Sequence, residues 1–248
     1  MNTIYILWLR QLKRYIRSKS RIIGSLGQPA LYLVALGFGL GPIFKRAGGG
    51  NYMNFLAPGV VAQGILFTAI FAGIELIWDR QFGFLKETLV APVSRFEIML
   101  GRTLGGATIA TLQGIIIFFM TLLVGFRPYN LALLPVALLV MFFTALFFTG
   151  VGTAIASNLS DMQGFQLIMN FLILPLFFLS GALFPLKGAP AGLLIVARFN
   201  PLTYGVDALR GVLANASQFG VATDIAVLSG LTVLILLIGS YLFSKIQI

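Results

Sequence analysis

The chain contains seven acidic residues and neither histidine nor cysteine. Histidine and cysteine are the commonest general bases, metal ligands and thiol nucleophiles, so most enzymatic chemistry is unavailable to this sequence. Carboxylates could still carry protons or ions if they lay inside membrane-spanning segments. None falls near the middle of a predicted span; the acids are Glu75, Asp79, Glu87, Glu97, Asp161, Asp207 and Asp224. A proton- or ion-coupled carrier is therefore disfavoured.

Glu75 comes closest to the membrane interior, within one turn of the end of the second predicted span. We interpret it as a helix-end acid reached by water, with a functional role as the alternative. No G-x-x-x-x-G-K-[ST] loop occurs, because GGGNYM at 48–53 lacks the lysine, so we expect no ATP hydrolysis by this chain. We assign no catalytic, cofactor-binding or metal-binding residue.

The elements that carry these residues are predicted to lie mainly in lipid. Of 248 residues, 58% are hydrophobic and 10% charged, far below the roughly 25% charged fraction of soluble domains. We predict an all-α integral membrane protein with a single membrane domain over 1–248. Its six apolar stretches each exceed the ~18 residues that a span needs: 22–44, 55–77, 104–126, 131–156, 165–184 and 222–243.

Lysine and arginine are unevenly distributed between the two predicted sides of the membrane. Eleven lie on the side of the termini and six on the other side. The positive-inside rule therefore predicts a multi-pass cell-membrane (inner or plasma membrane) protein with both termini in the cytoplasm. Nucleic acid is not an expected partner, because no soluble basic module with stacking aromatics is present.

The first 21 residues have the pattern of an amphipathic interfacial helix. In helical projection Arg10, Arg14 and Arg17 fall on one side, and Trp8 falls on the other with further apolar residues. One interpretation is a basic anchor lying on anionic membrane lipids. The other adds a protein contact beneath the helix, and the two are compatible.

The link between the second and third spans, 78–103, is long and charged. Phe84/Thr88 and Leu85/Leu89 are i,i+4 neighbours, and Pro92 predicts the end of a short helix. Its apolar edge could lie flat on the membrane or fill a groove on a cytoplasmic partner. The pattern alone leaves both interpretations open.

The link between the fifth and sixth spans, 185–221, is predicted to be external. Its two apolar runs are too short to span, which favours a re-entrant or interfacial hairpin that also carries Arg198. Asn200 as N-cap, Pro201 at the first helical position and Gly211 beyond the end delimit the second helix. Asp207 and Arg210, at i,i+3 on it, are expected to pair in a structural role.

Two segments resemble a known family. DRQFGFLKETLVAPVSRFEIMLGR (79–102) and NPLTYGVDALRG (200–211) are similar to the membrane subunit of type-two ABC exporters, the branch that exports drugs, polysaccharides and lipids. The likeness covers essentially the whole chain. It implies a permease that forms a dimer, expected here to be a homodimer, and binds two separate cytoplasmic ABC ATPase subunits, which hold the ATP and magnesium.

The resemblance also assigns roles to segments. The coupling helix of the family maps onto 80–90, its membrane-parallel helix onto 5–17 and its external re-entrant hairpin onto 185–214. A second, smaller cytoplasmic contact maps onto 158–164, around Asp161. The residues expected to couple to the ATPase are Arg80, Phe84, Leu85, Lys86, Glu87, Thr88, Leu89 and Asp161.

The sequence thus predicts the membrane-spanning permease subunit of an ATP-driven exporter of an amphiphilic drug, lipid, glycolipid or polysaccharide. Movement of the coupling helix would reorient two six-span bundles. The alternative is a membrane-embedded lipid-modifying enzyme, against which stand the missing histidine and cysteine. A passive channel would need polar pore-lining rows, which the spans lack.

Overall fold

The computed structural model describes residues 2–46, 50–90 and 92–245, except the side chains of Asn2 and Leu89. Within these ranges the chain forms helices joined by short connections, and no strand occurs there. Among the described residues, five helical stretches are long and apolar enough to cross a membrane: Lys19–Arg46, Tyr52–Gln81, Arg95–Leu123, Leu131–Ser157 and Val221–Ser244. The prediction of an all-α integral membrane protein is confirmed.

The N-terminal half begins with a 16-residue helix, α1, at Asn2–Arg17. The first long helical stretch then contains α2 (Lys19–Gly24), α3 (Gly27–Leu31), a π-helical turn (Tyr32–Leu36) and α4 (Gly37–Arg46). The second contains α5 (Tyr52–Phe71) and α6 (Ile74–Gln81), which are separated by a break at residues 72–73. A short helix, α7 (Phe84–Val90), follows.

The C-terminal half contains α8 (Arg95–Leu123), a 3₁₀ turn (Leu131–Leu133), α9 (Leu134–Ser157), α10 (Met162–Phe178), α11 (Ala191–Phe199), α12 (Pro201–Ala214) and α13 (Val221–Ser244). The fifth predicted span, 165–184, corresponds to α10, which begins and ends earlier and has only 17 residues. A helix of this length falls just short of the ~18 apolar residues expected of a span. The six-span topology therefore stays a prediction.

Several helix ends follow the expected local rules. Ser94 and Glu97 form a reciprocal capping box at the start of α8. Asn200 caps α12 by accepting a hydrogen bond from the Leu202 amide, as predicted. The predicted end of α12 at Gly211 is wrong, because the helix continues to Ala214 and stops where Asn215 adopts the left-handed conformation, φ 51°.

The centre of the molecule is α5, most of whose side chains are buried, and it packs against α8, α9 and α12. The break between α5 and α6 lies against α9, where Gly73 and Gly152 meet. A Cβ on Gly73 would collide with the carbonyl of Gly152, so the close crossing requires glycine. Exposed apolar side chains on α4, α10 and α13 face outward, as expected of surfaces solvated by lipid.

Candidate functional site

A cluster of charges, in which Glu75, Asp79 and Arg102 are buried, joins α1, α2, α6 and α8. Asp79 accepts a hydrogen bond from Arg102 Nη2 at 2.5 Å and one from Arg10 Nη2 at 3.1 Å. Arg21 Nη1 pairs with Glu75 Oε1 at 2.5 Å. Arg14 Nη1 lies 3.9 Å from Asp79 Oδ1 and 4.0 Å from Glu75 Oε2. We call these six residues the ion cluster. It contains four cations and two carboxylates.

The spacing of the charges on two helices builds this cluster. Glu75 and Asp79 are one turn apart on α6, and Arg10 and Arg14 are one turn apart on α1, so each pair shares a face. Glu75 is 3% exposed and Asp79 5% exposed. The interpretation of Glu75 as a water-reached acid is therefore wrong, because the arginine side chains cover it. Buried charges near a membrane are expensive and usually functional.

The N-terminal helix docks onto the protein. The Tyr15 hydroxyl donates to Gln113 Oε1 at 2.6 Å, and Trp8 Nε1 donates to Thr108 Oγ1 at 3.0 Å. Burial raises the pKa of Tyr15, so its hydroxyl remains a neutral donor. The predicted protein contact beneath the helix is present on α8.

The surface of α1 that is left to face lipid is smaller than the helical projection predicted. Tyr5 and Ile16 remain exposed apolar side chains, and Arg17 is also exposed. Arg10 and Arg14 instead turn into the ion cluster. A projection separates polar from apolar faces, but it cannot show that α8 covers part of the apolar side and α6 part of the basic side.

Within the segment 80–90, predicted to be the coupling helix, the structure has a shorter helix, α7, while Arg80 belongs to α6. Helix α7 follows Gly83, whose φ of +79° favours glycine. Lys86 and Glu87 are exposed, and Thr88 donates to the carbonyl of Phe84 at 3.0 Å. The ring of Phe84 lies under the guanidinium of Arg10, 4.0 Å from the ring centroid. Arg10 therefore contacts both α6 and α7 from α1.

The predicted apolar edge of this helix needs a correction. Leu85 is only 3% exposed and belongs to the core of the chain itself, so it anchors α7 to the membrane domain and cannot fill a groove on another protein. Leu89 is the other half of that edge, and its side chain lies outside the described residues. Other apolar side chains of this segment are accessible, among them Phe82, 81% exposed, Val90, 80% exposed, and Phe84, 44% exposed.

Arg80 ties the end of α6 to the connection between α9 and α10. Its Nη1 donates to the carbonyl of Leu159 and its Nη2 to the carbonyl of Ser157, both at 2.8 Å. Gln81 Nε2 donates to the carbonyl of Ser160 at 3.0 Å. We call these three hydrogen bonds the Arg80 clamp.

The clamp connects the two segments assigned to partner contact. Directly after it, Asp161 caps α10 by accepting hydrogen bonds from the amides of Gln163 and Gly164. Asp161 is exposed at this position. The clamp thereby holds the segments 80–90 and 158–164 together as one surface. We call this the α7–Asp161 surface.

The segment 185–221, predicted to be an external re-entrant or interfacial hairpin, carries the charged residues Asp207 and Arg210 in structural contacts. Asp207 and Arg210 form no ion pair, which corrects the prediction from their spacing. Asp207 accepts hydrogen bonds from the Ser217 hydroxyl and from the amides of Gln218 and Phe219. The carboxylate thus holds the loop that follows α12.

Arg210 points to the other side of α12. It donates to the carbonyl of Gly181 at 3.0 Å and lies over the ring of Phe55, 3.9 Å from the centroid. Burial lowers the pKa of Arg210 to about 10, which leaves it charged at neutral pH. Arg198 is exposed, and its carbonyl accepts from the Tyr204 hydroxyl.

The model of one protein family, described as the ABC-2 type transporter, matches residues 2–214. This chain belongs to the ABC-2 type transporter family. The matched range contains the ion cluster, α7, the Arg80 clamp and α12. The resemblance stated from the sequence is therefore confirmed, and as an ABC-2 permease the chain is a multi-pass transport protein.

Individual relatives support this assignment. Nodulation protein J of Rhizobium leguminosarum bv. viciae is 32% identical over 209 residues, which cover 84% of this chain and 80% of the relative. A protein named as a transport permease, ycf38, of Cyanophora paradoxa is 30% identical over 220 residues, covering 86% and 75%. Nodulation protein J of Rhizobium meliloti is 29% identical over 209 residues, covering 84% and 79%.

Proposed function

We propose that this ABC-2 permease is the membrane subunit of an ATP-driven exporter and that the α7–Asp161 surface binds a separate cytoplasmic ABC ATPase. The observation that carries the proposal is the Arg80 clamp, which holds both candidate contact segments in one unit. The chain has no phosphate-binding loop, so ATP and magnesium belong on the partner. The missing histidine and cysteine weigh against the alternative of a lipid-modifying enzyme.

The contacts suggest how movement passes from the ATPase into the membrane. A displacement of α7 pulls on α1 through Phe84 and Arg10, and on α6 through the short Gly83 turn. From α6 it reaches α5 and, through the ion cluster, α8. Because buried charge pairs tolerate little separation, these helices should move as a unit.

The assembly that we propose contains two copies of this chain and two ATPase subunits. Both termini lie in the cytoplasm, following the distribution of lysine and arginine. Six spans are complete if α10 and residues 179–185 together cross the membrane, with α11 and α12 forming an external re-entrant hairpin. The cargo is an amphiphile, which suits helices whose outward faces are apolar.

The test is whether the ATPase copurifies with permease variants in which exposed apolar residues of the docking surface are truncated. Phe82→Ala with Val90→Ala should leave folding intact, because both side chains are about 80% exposed. Truncating central anchors of an interface costs about 2 kcal/mol or more, roughly thirtyfold in affinity, so the ATPase should not copurify. Phe199→Ala, at a residue 85% exposed on α11, is the matched control and should retain it.

Retention of wild-type amounts of ATPase by the Phe82→Ala and Val90→Ala double variant would refute the proposed docking surface. ATP turnover by the purified permease without any copurifying subunit would refute the proposal that ATP is hydrolysed only on the partner chain.

A further inference from the structure

A cavity of about 210 Å³ lies between α1, α2, α3 and α5. It is partly open and extends from the ion cluster toward the middle of α5. Aromatic and polar side chains share its walls, and those that matter here are Tyr15, Arg21, Gln63, Phe67, Thr68 and Phe71. No role in coupling requires this space.

Gln63 is the unusual residue of the cavity. It is 1% exposed and lies in the apolar middle of a predicted span, yet its carboxamide oxygen has no hydrogen-bond partner among the described residues. Leaving an amide unpaired in hydrocarbon is costly, and native structures rarely do so. A polar ligand in the cavity would supply the missing partner.

Arg21 brings positive charge to the other end. Its Nη1 pairs with Glu75, while its remaining N–H groups have no partner in the part of the chain that the structure describes. The adjoining ion cluster has four arginines for two carboxylates, an excess of two positive charges. An anion beside Arg21 would offset this excess.

We propose that the cavity binds the headgroup of an anionic, phosphate-bearing amphiphile. Arg21 contacts the phosphate, Gln63 hydrogen-bonds to polar groups deeper in the membrane, and Phe67 and Phe71 pack against the apolar part. Phe71 and Gln63 are eight residues apart on one helical stretch, about 12 Å at 1.5 Å per residue, which leaves room for such an elongated ligand. The site does not depend on the proposed docking of an ATPase.

Two variants with matched controls test the site. Gln63→Leu removes the carboxamide, and because its oxygen is unpaired the fold should keep its melting temperature. Gly24→Phe obstructs the cavity, since Gly24 lines it and a Cβ at this position would meet no other atom within 4 Å. The controls are Gln166→Leu, an exposed position on α10, and Gly27→Phe, which has the same open space but does not line the cavity.

Binding is measured by native mass spectrometry on the full chain, with dioleoyl phosphatidylglycerol as the probe and dioleoyl phosphatidylcholine as the neutral comparison. We expect phosphatidylglycerol to bind at least tenfold more tightly to the wild type, and Gln63→Leu and Gly24→Phe each to lose about tenfold. Equal affinity for the two lipids, or equal binding by cavity variants and controls, would overturn the proposal.

The source of the amphiphile is decided in vesicles that contain the assembled transporter and labelled phosphatidylglycerol. ATP-dependent movement of the label across the membrane identifies the site as part of the cargo path. Retention of the bound lipid through ATP turnover identifies a resident membrane lipid. Both results support the site. Loss of ATPase binding by the α7 variants leaves lipid binding intact, so failure of the two proposals can be told apart.

Discussion

Asp79→Asn tests the ion cluster most severely, because the Asp79 carboxylate forms ion pairs with three arginines. Asp79 is 5% exposed and Arg102 is also 5% exposed, so water cannot replace the lost charge at either side chain. Removing one partner of a buried pair typically costs 3–5 kcal/mol, so a loss of about 4 kcal/mol is expected. At roughly 2–4 °C per kcal/mol for a chain of this size, the melting temperature should fall by about 8–16 °C.

The assay is thermal unfolding of the purified full chain in detergent, followed by the loss of the monodisperse peak in size-exclusion chromatography. Asp161→Asn is the matched control, because Asp161 is an exposed helix cap and asparagine caps about equally well. Its melting temperature should stay within about 2 °C of the wild type.

A second variant separates charge from packing. Replacing Asp79 and Arg102 together by methionine removes the buried pair, while Arg10 and Arg14, whose side chains are 31% and 36% exposed, can reach water. The melting temperature of the double variant should be higher than that of Asp79→Asn by at least half of the fall that Asp79→Asn causes. A single Asp79→Asn variant that melts within about 2 °C of the wild type would refute the structural role of the cluster.

Three further results are expected. Arg80→Ala should weaken ATPase binding by roughly tenfold, about 1.4 kcal/mol, and lower ATP-driven transport with it, because the clamp that holds the two contact segments together is gone; wild-type binding and transport would contradict this. Tyr15→Phe should cost about 1–3 kcal/mol of stability, because its glutamine acceptor stays buried. Since burial raises the pKa of Tyr15, wild-type stability should fall as the pH rises past about 10, and in Tyr15→Phe it should fall less. Cysteines at Ser18 and Ser94 should react only with reagents in the cytoplasm, and one at Ser217 only with external reagents; external labelling at Ser94 would refute the orientation.

Local features of this protein could be predicted from the sequence because they depend on neighbours in the chain. Hydropathy located the helices, and the Asn200–Pro201 pair located the start of α12. The short helix after Gly83 was also predictable, since Pro92 limits it. Each of these depends on rules that act within one or two helical turns.

The errors concern contacts between distant segments. Arg10 and Asp79 are 69 residues apart, so nothing in the chain near Glu75 showed that arginines would cover both acids. Leu85 had the spacing of a binding edge, but the same spacing serves an anchor. Asp207 and Arg210 could pair by helical geometry, yet a nearby loop and the Gly181 carbonyl satisfy them separately.

The α7–Asp161 surface as the docking site of an ATPase is the central claim, and a single crosslink tests it most directly. Because the chain contains no cysteine, Lys86→Cys provides one unique attachment point for a short photo-reactive crosslinker on the exposed side of α7. In membranes that contain the coexpressed ATPase, we expect a crosslink to that subunit from position 86 and none from Arg198→Cys, an exposed site on α11. Crosslinking from position 86 to lipid alone, in membranes where the complex is intact, would contradict the account.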